Sequence, residues 1–147
     1  MATSRPLEVL IVEDNEADLQ LAVAALTDAT VPIHIHTARD GEAALAFLRR
    51  VGAHTDAPRP DLILLDLGLP KIDGFEVLAE IKSDAALRMT PVVVVSGSES
   101  NLDIARIYDL PAVTYLVKPA GSEKYFSTMR VIKELWIQMR SFPPKEA

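Results

Sequence analysis

The chain has 147 residues, 49% of them apolar and 24% charged, and a formal net charge of −6: the profile of one globular domain with room for a real core. That acidic balance excludes a general binder of nucleic acid or of an anionic membrane, since both demand a basic face. Cysteine is absent, which excludes disulfides, thiolate metal sites and cysteine nucleophiles.

The opening Met-Ala-Thr-Ser-Arg-Pro leads straight into an apolar run with no signal-peptide core. A first strand is expected over Glu8–Asp14, closing on Glu13 and Asp14, and a helix over Glu16–Ala29. A second strand follows at Ile33–Ala38. It carries His34 and His36, whose i, i+2 spacing puts both on one face; with no third ligand nearby in sequence, they read as a solvated or edge-facing strand. The next helix, Gly41–Val51, ends near the only basic doublet, Arg49-Arg50, which reads as a solvated helix end. The connection from Val51 to Pro60 is longer than the usual two to six residues or so of an αβ loop, and Pro58 and Pro60 stiffen its exit. Strand Asp61–Asp66, helix Gly74–Ser83, strand Pro91–Ser96, helix Glu99–Tyr108, strand Thr114–Lys118 and helix Ser122–Arg140 complete the alternation.

Five strand–helix alternations predict βαβ units around a parallel sheet. Short runs such as Leu62-Ile63-Leu64-Leu65 and Val92-Val93-Val94-Val95 lack alternation, as strands buried on both faces do. No repeat or linker is visible. The expectation is one domain over 1–147, with its core at about 7–140, a short tail at 141–147, no output domain and a cytoplasmic location, since no run approaches the ~20 apolar residues of a spanning helix.

The chemistry sits at the strand ends. Ligands bind in the crevice beyond the carboxyl ends of such sheets, and there Glu13, Asp14, Asp66, Ser96 and Lys118 each close an apolar run. A carboxylate such as Asp66 can attack phosphorus to give an aspartyl phosphate. The approaching phosphoryl group is anionic, so the attack needs neutralising charge. Mg²⁺ supplies it through one or two carboxylates, waters and phosphate oxygens; Glu13 and Asp14 are the additional ligands. Lys118 neutralises phosphoryl oxygens as a point charge, and the Ser96 hydroxyl hydrogen-bonds one of them. Taken singly, an Asp at a strand-to-helix junction is an N-cap and a strand-terminal Lys faces water; four strand ends together point to phosphoryl and metal chemistry.

Val12-Glu-Asp-Asn15, Leu64-Leu-Asp-Leu-Gly-Leu-Pro-Lys-Ile-Asp-Gly74, Val95-Ser-Gly97 and Tyr115-Leu-Val-Lys-Pro119 resemble, in order and spacing, the motifs of two-component response regulator receiver domains. The likeness covers essentially the whole chain. It implies a flavodoxin-like (βα)5 fold, a five-stranded parallel sheet with helices on both faces. It also implies Asp66 as phosphoacceptor, Mg²⁺ held by Glu13, Asp14, Asp66 and the Gly68 backbone carbonyl, and Ser96 and Lys118 on the phosphoryl group. A cis Lys118–Pro119 bond is implied too, as is a switch in which Ser96 moves to the phosphoryl oxygens and Tyr115 turns into the vacated space. A plain strand aromatic packed on the last helix is the other reading of Tyr115. Gly68 departs from the bulkier or amide side chain common two residues after the phosphoacceptor, and it opens space for water.

More narrowly, the chain looks like stand-alone receivers paired with bacterial and cyanobacterial phytochromes. That implies a sensor histidine kinase of bacteriophytochrome type as partner and a homodimer through the last strand and helix. Tyr125, Met129, Ile132, Trp136 and Met139, at 4-3-4-3 spacing, form the expected apolar stripe, with Phe126 and Ile137 widening it. The competing functions are a phosphate sink for such a sensor, an aspartyl-phosphate hydrolase, a flavodoxin-like cofactor binder and a constitutive scaffold. A hydrolase of the haloacid-dehalogenase type needs a second acid where Gly68 stands, and Glu13-Asp14-Asn15-Glu16 would repel a cofactor phosphate. The complete acid, hydroxyl and lysine set argues against a mere scaffold.

Overall fold

The computed structural model describes residues 6–27, 32–69 and 73–96, the backbone of 114–117, and helical residues 127, 129–131 and 133–134. The helix expected at Glu99–Tyr108, the Lys118–Pro119 bond, the tail and most of the last helix lie outside the described residues. The described elements are β1 (Leu7–Val12), α1 (Glu16–Thr27), β2 (Ile33–Ala38), α2 (Gly41–Arg49), β3 (Leu62–Asp66), α3 (Gly74–Ser83), β4 (Val92–Ser96) and β5 (Thr114–Val117), with a 3₁₀ turn at Gly52–His54 inside the long connection.

The five strands are parallel in the order β2-β1-β3-β4-β5. Burial explains that order. Every residue of β3 and β4 is buried, as unalternating Val, Ile and Leu require when both faces are covered. By contrast β2 mixes exposed and half-buried positions and lies at the edge, where its histidines are tolerated.

The two faces of the sheet hold separate apolar clusters. Leu10, Val12, Ile63, Leu65, Val92 and Val94 pack with Phe47 and Leu48 of α2 and Val77, Leu78 and Ile81 of α3. On the other face Leu7, Val9, Ile11, Leu62, Leu64, Val93 and Val95 pack with Leu19, Ala22, Ala25 and Leu26 of α1 and with Met129. Of the five residues expected at a dimer surface, Met129 alone is described, and it is fully buried in this core. Its side chain therefore stabilises the protomer, while the neighbouring Val131 is exposed. Among the described residues no helix is long and apolar enough to cross a membrane.

Four described strand boundaries differ from expectation, by one or two residues each: β1 starts at Leu7 and ends at Val12, β3 starts at Leu62 and β4 at Val92. Pairing of β1 stops at Val12, so Glu13 and Asp14 stand beyond the strand rather than within it; before β3, the Asp61 side chain accepts a hydrogen bond from the Glu8 N–H at 2.9 Å.

Candidate functional site

The strand order reverses between β1 and β3: from β1 the chain runs outward to β2, then returns to place β3 on the other flank. Helices connecting to opposite faces part at such a switch point and leave a crevice at the carboxyl ends. Val12 is in register with Leu65, Asp66 with Val95, and Ser96 with Val117. That register sets Glu13, Asp14, Asp66 and Ser96 at one end of three adjacent strands.

One carboxylate oxygen from each of Glu13, Asp14 and Asp66 lies within 4.8 Å of the other two. Glu13 and Asp66 are each 5% exposed and Ser96 only 2%, whereas Asp14 opens to solvent. At such separations each ionised pair repels by about 3 kcal/mol at an effective dielectric near 20. A multivalent cation reverses that energy. An all-oxygen donor set suits a hard cation of the Mg²⁺, Ca²⁺ or Mn²⁺ type, so the residues fit a divalent metal.

Local hydrogen bonds aim these groups. The Glu13 N–H donates to the Ala38 carbonyl at 2.9 Å, tying the loop after β1 to the end of β2, and Glu13 Oε2 accepts from the Asn15 N–H at 3.1 Å. Asp66 Oδ1 accepts from the Gly68 N–H at 3.1 Å. The Leu67 N–H donates to the Val95 carbonyl and the Gly74 N–H to the Leu67 carbonyl, both at 3.1 Å.

Neither strand-end aspartate caps a helix. Asn15 Oδ1 accepts from the Asp18 N–H at 2.9 Å at the start of α1, and Asp73 Oδ1 from the Glu76 N–H at 2.9 Å at the start of α3. With the capping role filled by their neighbours, Asp14 and Asp66 are left facing the crevice.

Two supporting residues escape sequence reasoning. Gly74 packs so closely that a β-carbon there would lie 2.4 Å from Leu67 Cα and 2.5 Å from the Asp66 carbonyl oxygen, so α3 can start directly against the Asp66 loop only with glycine. The signal was available in Asp73-Gly74, but it reads equally as an ordinary turn. Arg39, after β2, pairs with Glu16 in the first turn of α1 and braces the two loops that flank Glu13. A hydrogen bond from Gln20, and then the Arg39 guanidinium, hold the Glu16 carboxyl below its ordinary value.

Among the described residues, a β-carbon at Gly68 would meet nothing closer than Asp66 Oδ1 at 3.9 Å. The Tyr115 backbone lies on β5 beside Val94. Its side chain, and all of Lys118, Tyr125, Ile132, Trp136 and Met139, lie outside the described residues; Lys118 directly follows Val117, the register partner of Ser96.

The response regulator receiver domain profile matches residues 9–130. Response regulator Rcp1 of Synechocystis sp. is 41% identical over 138 residues, spanning 94% of each chain. Among solved structures, the phosphorylated cyanobacterial phytochrome response regulator RcpA superposes with a TM-score of 0.87 at 46% identity, covering 95% of this chain and 100% of that one. The Mn²⁺-bound form of Rcp1 superposes at 0.85 with 40% identity and the same coverage.

Proposed function

The chain belongs to the response regulator receiver family, and we propose that Asp66 is the residue that accepts its phosphoryl group, from a sensor histidine kinase and in a Mg²⁺-dependent reaction. The observation that carries this reading is the meeting of the Glu13, Asp14 and Asp66 carboxylates at the strand-order reversal, beside the buried Ser96.

An Asp66 carboxylate oxygen attacks the phosphorus of a phosphohistidine. The P–O bond forms as the P–N bond breaks, and the leaving imidazole keeps that electron pair and gains a proton. The Gly68 N–H fixes the rotation of the nucleophilic carboxylate, which cuts the cost of orienting it. The Ser96 hydroxyl donates to one phosphoryl oxygen and the Lys118 ammonium neutralises another. Glu13, Asp14, Asp66 and the Gly68 carbonyl hold the metal, which supplies the positive charge that lets an anionic group approach a carboxylate. Hydrolysis of the acyl phosphate by water beside Gly68 resets the protein. Its only catalysis is thus its own phosphorylation and dephosphorylation.

Phosphorylation draws Ser96 towards the new oxygens, and Tyr115 on the adjacent strand turns inward, which changes the surface around β4 and β5. The likeness to Rcp1 and RcpA supports a phytochrome-type sensor kinase as partner, with the protein acting in the cytoplasm as a single domain. Exposed Val131 on the last helix supports a homodimer through that helix and the last strand, with Tyr125, Ile132, Trp136 and Met139 as its apolar contacts.

Intact mass after incubation with acetyl phosphate, with and without Mg²⁺, tests the site. Wild type gains one phosphoryl group only with the metal, and Asp66→Asn gains none. Modification of Asp66→Asn at the wild-type level overturns the assignment.

A further inference from the structure

Glu13 stands inside a closed ring of contacts. Its N–H donates to the Ala38 carbonyl at 2.9 Å, and its Oε2 accepts from the Asn15 N–H at 3.1 Å. Arg39 follows Ala38, Glu16 follows Asn15, and the Arg39 guanidinium pairs with the Glu16 carboxylate. The ring therefore runs from Glu13 through Ala38 and Arg39 to Glu16 and Asn15, and back to Glu13. We propose that Arg39 is a positioning residue for the metal, setting Mg²⁺ affinity through Glu13 rather than by touching the ion. This rests on the metal role proposed above for Glu13.

Each side of the ring is anchored, so the ion pair joins two fixed segments. Ala38 is buried and stands opposite Val12 at the end of the β1–β2 pairing. Asp40 caps α2 by accepting from the Ala43 N–H at 2.7 Å, so Arg39 lies between two held neighbours. On the other side Asn15 starts α1. Its side chain accepts from the Asp18 N–H and its carbonyl from the Leu19 N–H, both at 2.9 Å. Glu16 Oε2 accepts from Gln20 Nε2 at 2.7 Å, while Oε1 takes the Arg39 guanidinium. A carboxylate already held by Gln20 gives up less side-chain freedom to the ion pair, which is the usual cost of an exposed one.

Without Arg39 the starts of α1 and α2 are no longer tied to each other. The Glu13 carboxylate then has more orientations to lose when a cation draws it towards Asp14 and Asp66, and binding bears that cost. The pair is 54% and 58% exposed, which sets the size of the effect. It should be that of a surface ion pair, about two- to fivefold in affinity, rather than the ~10–100-fold of an outer contact made directly to a ligand.

Mg²⁺ titration of the full chain, read by the NMR shift of the Gly68 amide that donates to Asp66, tests this. The variants are Arg39→Gln, Glu16→Gln and the two combined. Charge alone and positioning predict different signs. Through the electric field alone, losing the Arg39 charge tightens Mg²⁺ binding, losing the Glu16 charge weakens it, and the double variant returns to wild type. Positioning weakens binding in all three, by about two- to fivefold. The double variant is then no weaker than Glu16→Gln, because both changes break one link. Both residues are exposed, so the fold is retained, and unchanged far-ultraviolet circular dichroism verifies that. Unchanged or tighter binding in folded Arg39→Gln overturns the proposal, as does wild-type affinity in the double variant; the metal role of Glu13 survives either result. Absence of saturable Mg²⁺ binding in wild type overturns that metal role itself, and the role of Arg39 with it.

Discussion

The two ends of one sheet carry carboxylates in opposite circumstances. At the carboxyl ends, Glu13, Asp14 and Asp66 each bring a carboxylate oxygen within 4.8 Å of the other two, and two of these residues are buried. At the amino ends, Glu8 is shared between two imidazoles. The first end offers an all-oxygen donor set suited to a hard cation; at the second, hydrogen bonds already satisfy the carboxylate. The strands are parallel, so every one of them contributes its carboxyl end to the same rim, where a single register assembles groups from three strands. The amino-end cluster needs only two strands and the edge position of β2. A parallel sheet thus carries an acidic crevice at one end and a hydrogen-bonded carboxylate–imidazole cluster at the other, with the covered core between them.

The sharpest break in that comparison is removal of the carboxylates at one end. Glu13→Ala with Asp14→Ala should lower Mg²⁺ affinity by at least about 100-fold, because even outer-shell changes at metal sites cost ~10–100-fold. The hydrogen bonds of Glu8 to His34 and His36 at the other end should stay as in wild type; calorimetric titration with MgCl₂ measures the first effect and imidazole NMR shifts the second. A smaller but still large effect is expected from Gly74→Ala. The β-carbon forces the start of α3 off the Asp66 loop, with a loss of about 1–3 kcal/mol in denaturant unfolding and slower phosphorylation; the β1–β2 cluster should be unaffected.

The smallest effect concerns Arg39. Its removal should raise the Glu16 titration midpoint towards the ordinary value near 4.5 without reaching it, since the Gln20 hydrogen bond, the larger cause, remains; carboxyl NMR titration reads this. The folded-state value is depressed, so the associated stabilisation is present above the unfolded value and is lost as pH falls through the folded one. Arg39→Ala should therefore lower stability at neutral pH and match wild type in strong acid.

Asp66, Ser96 and Glu13 were legible because each closes an uninterrupted apolar run, and polarity after four to six buried residues is a local signal. The α/β alternation was legible for the same reason, as periodicity needs no knowledge of neighbours. Glu8 was not. It stands second in β1, where it reads as a break in an apolar strand, and its partners lie 26 and 28 residues away. The capping alternative for Asp14 and Asp66 fell only when the structure put Asn15 and Asp73 at the helix starts. Met129 had the spacing of a surface stripe, yet the helix turns it into the sheet.

By itself the sequence determined which segments are strands, which residue types end them and hence which chemistry is possible, because these follow from local polarity and backbone preference. Tertiary structure alone decided which ends are neighbours. Strand order and register come from closing long crossovers over two apolar faces. They bring Glu13 to Asp66, seat Gly74 against Leu67 and give Glu8 its two histidines.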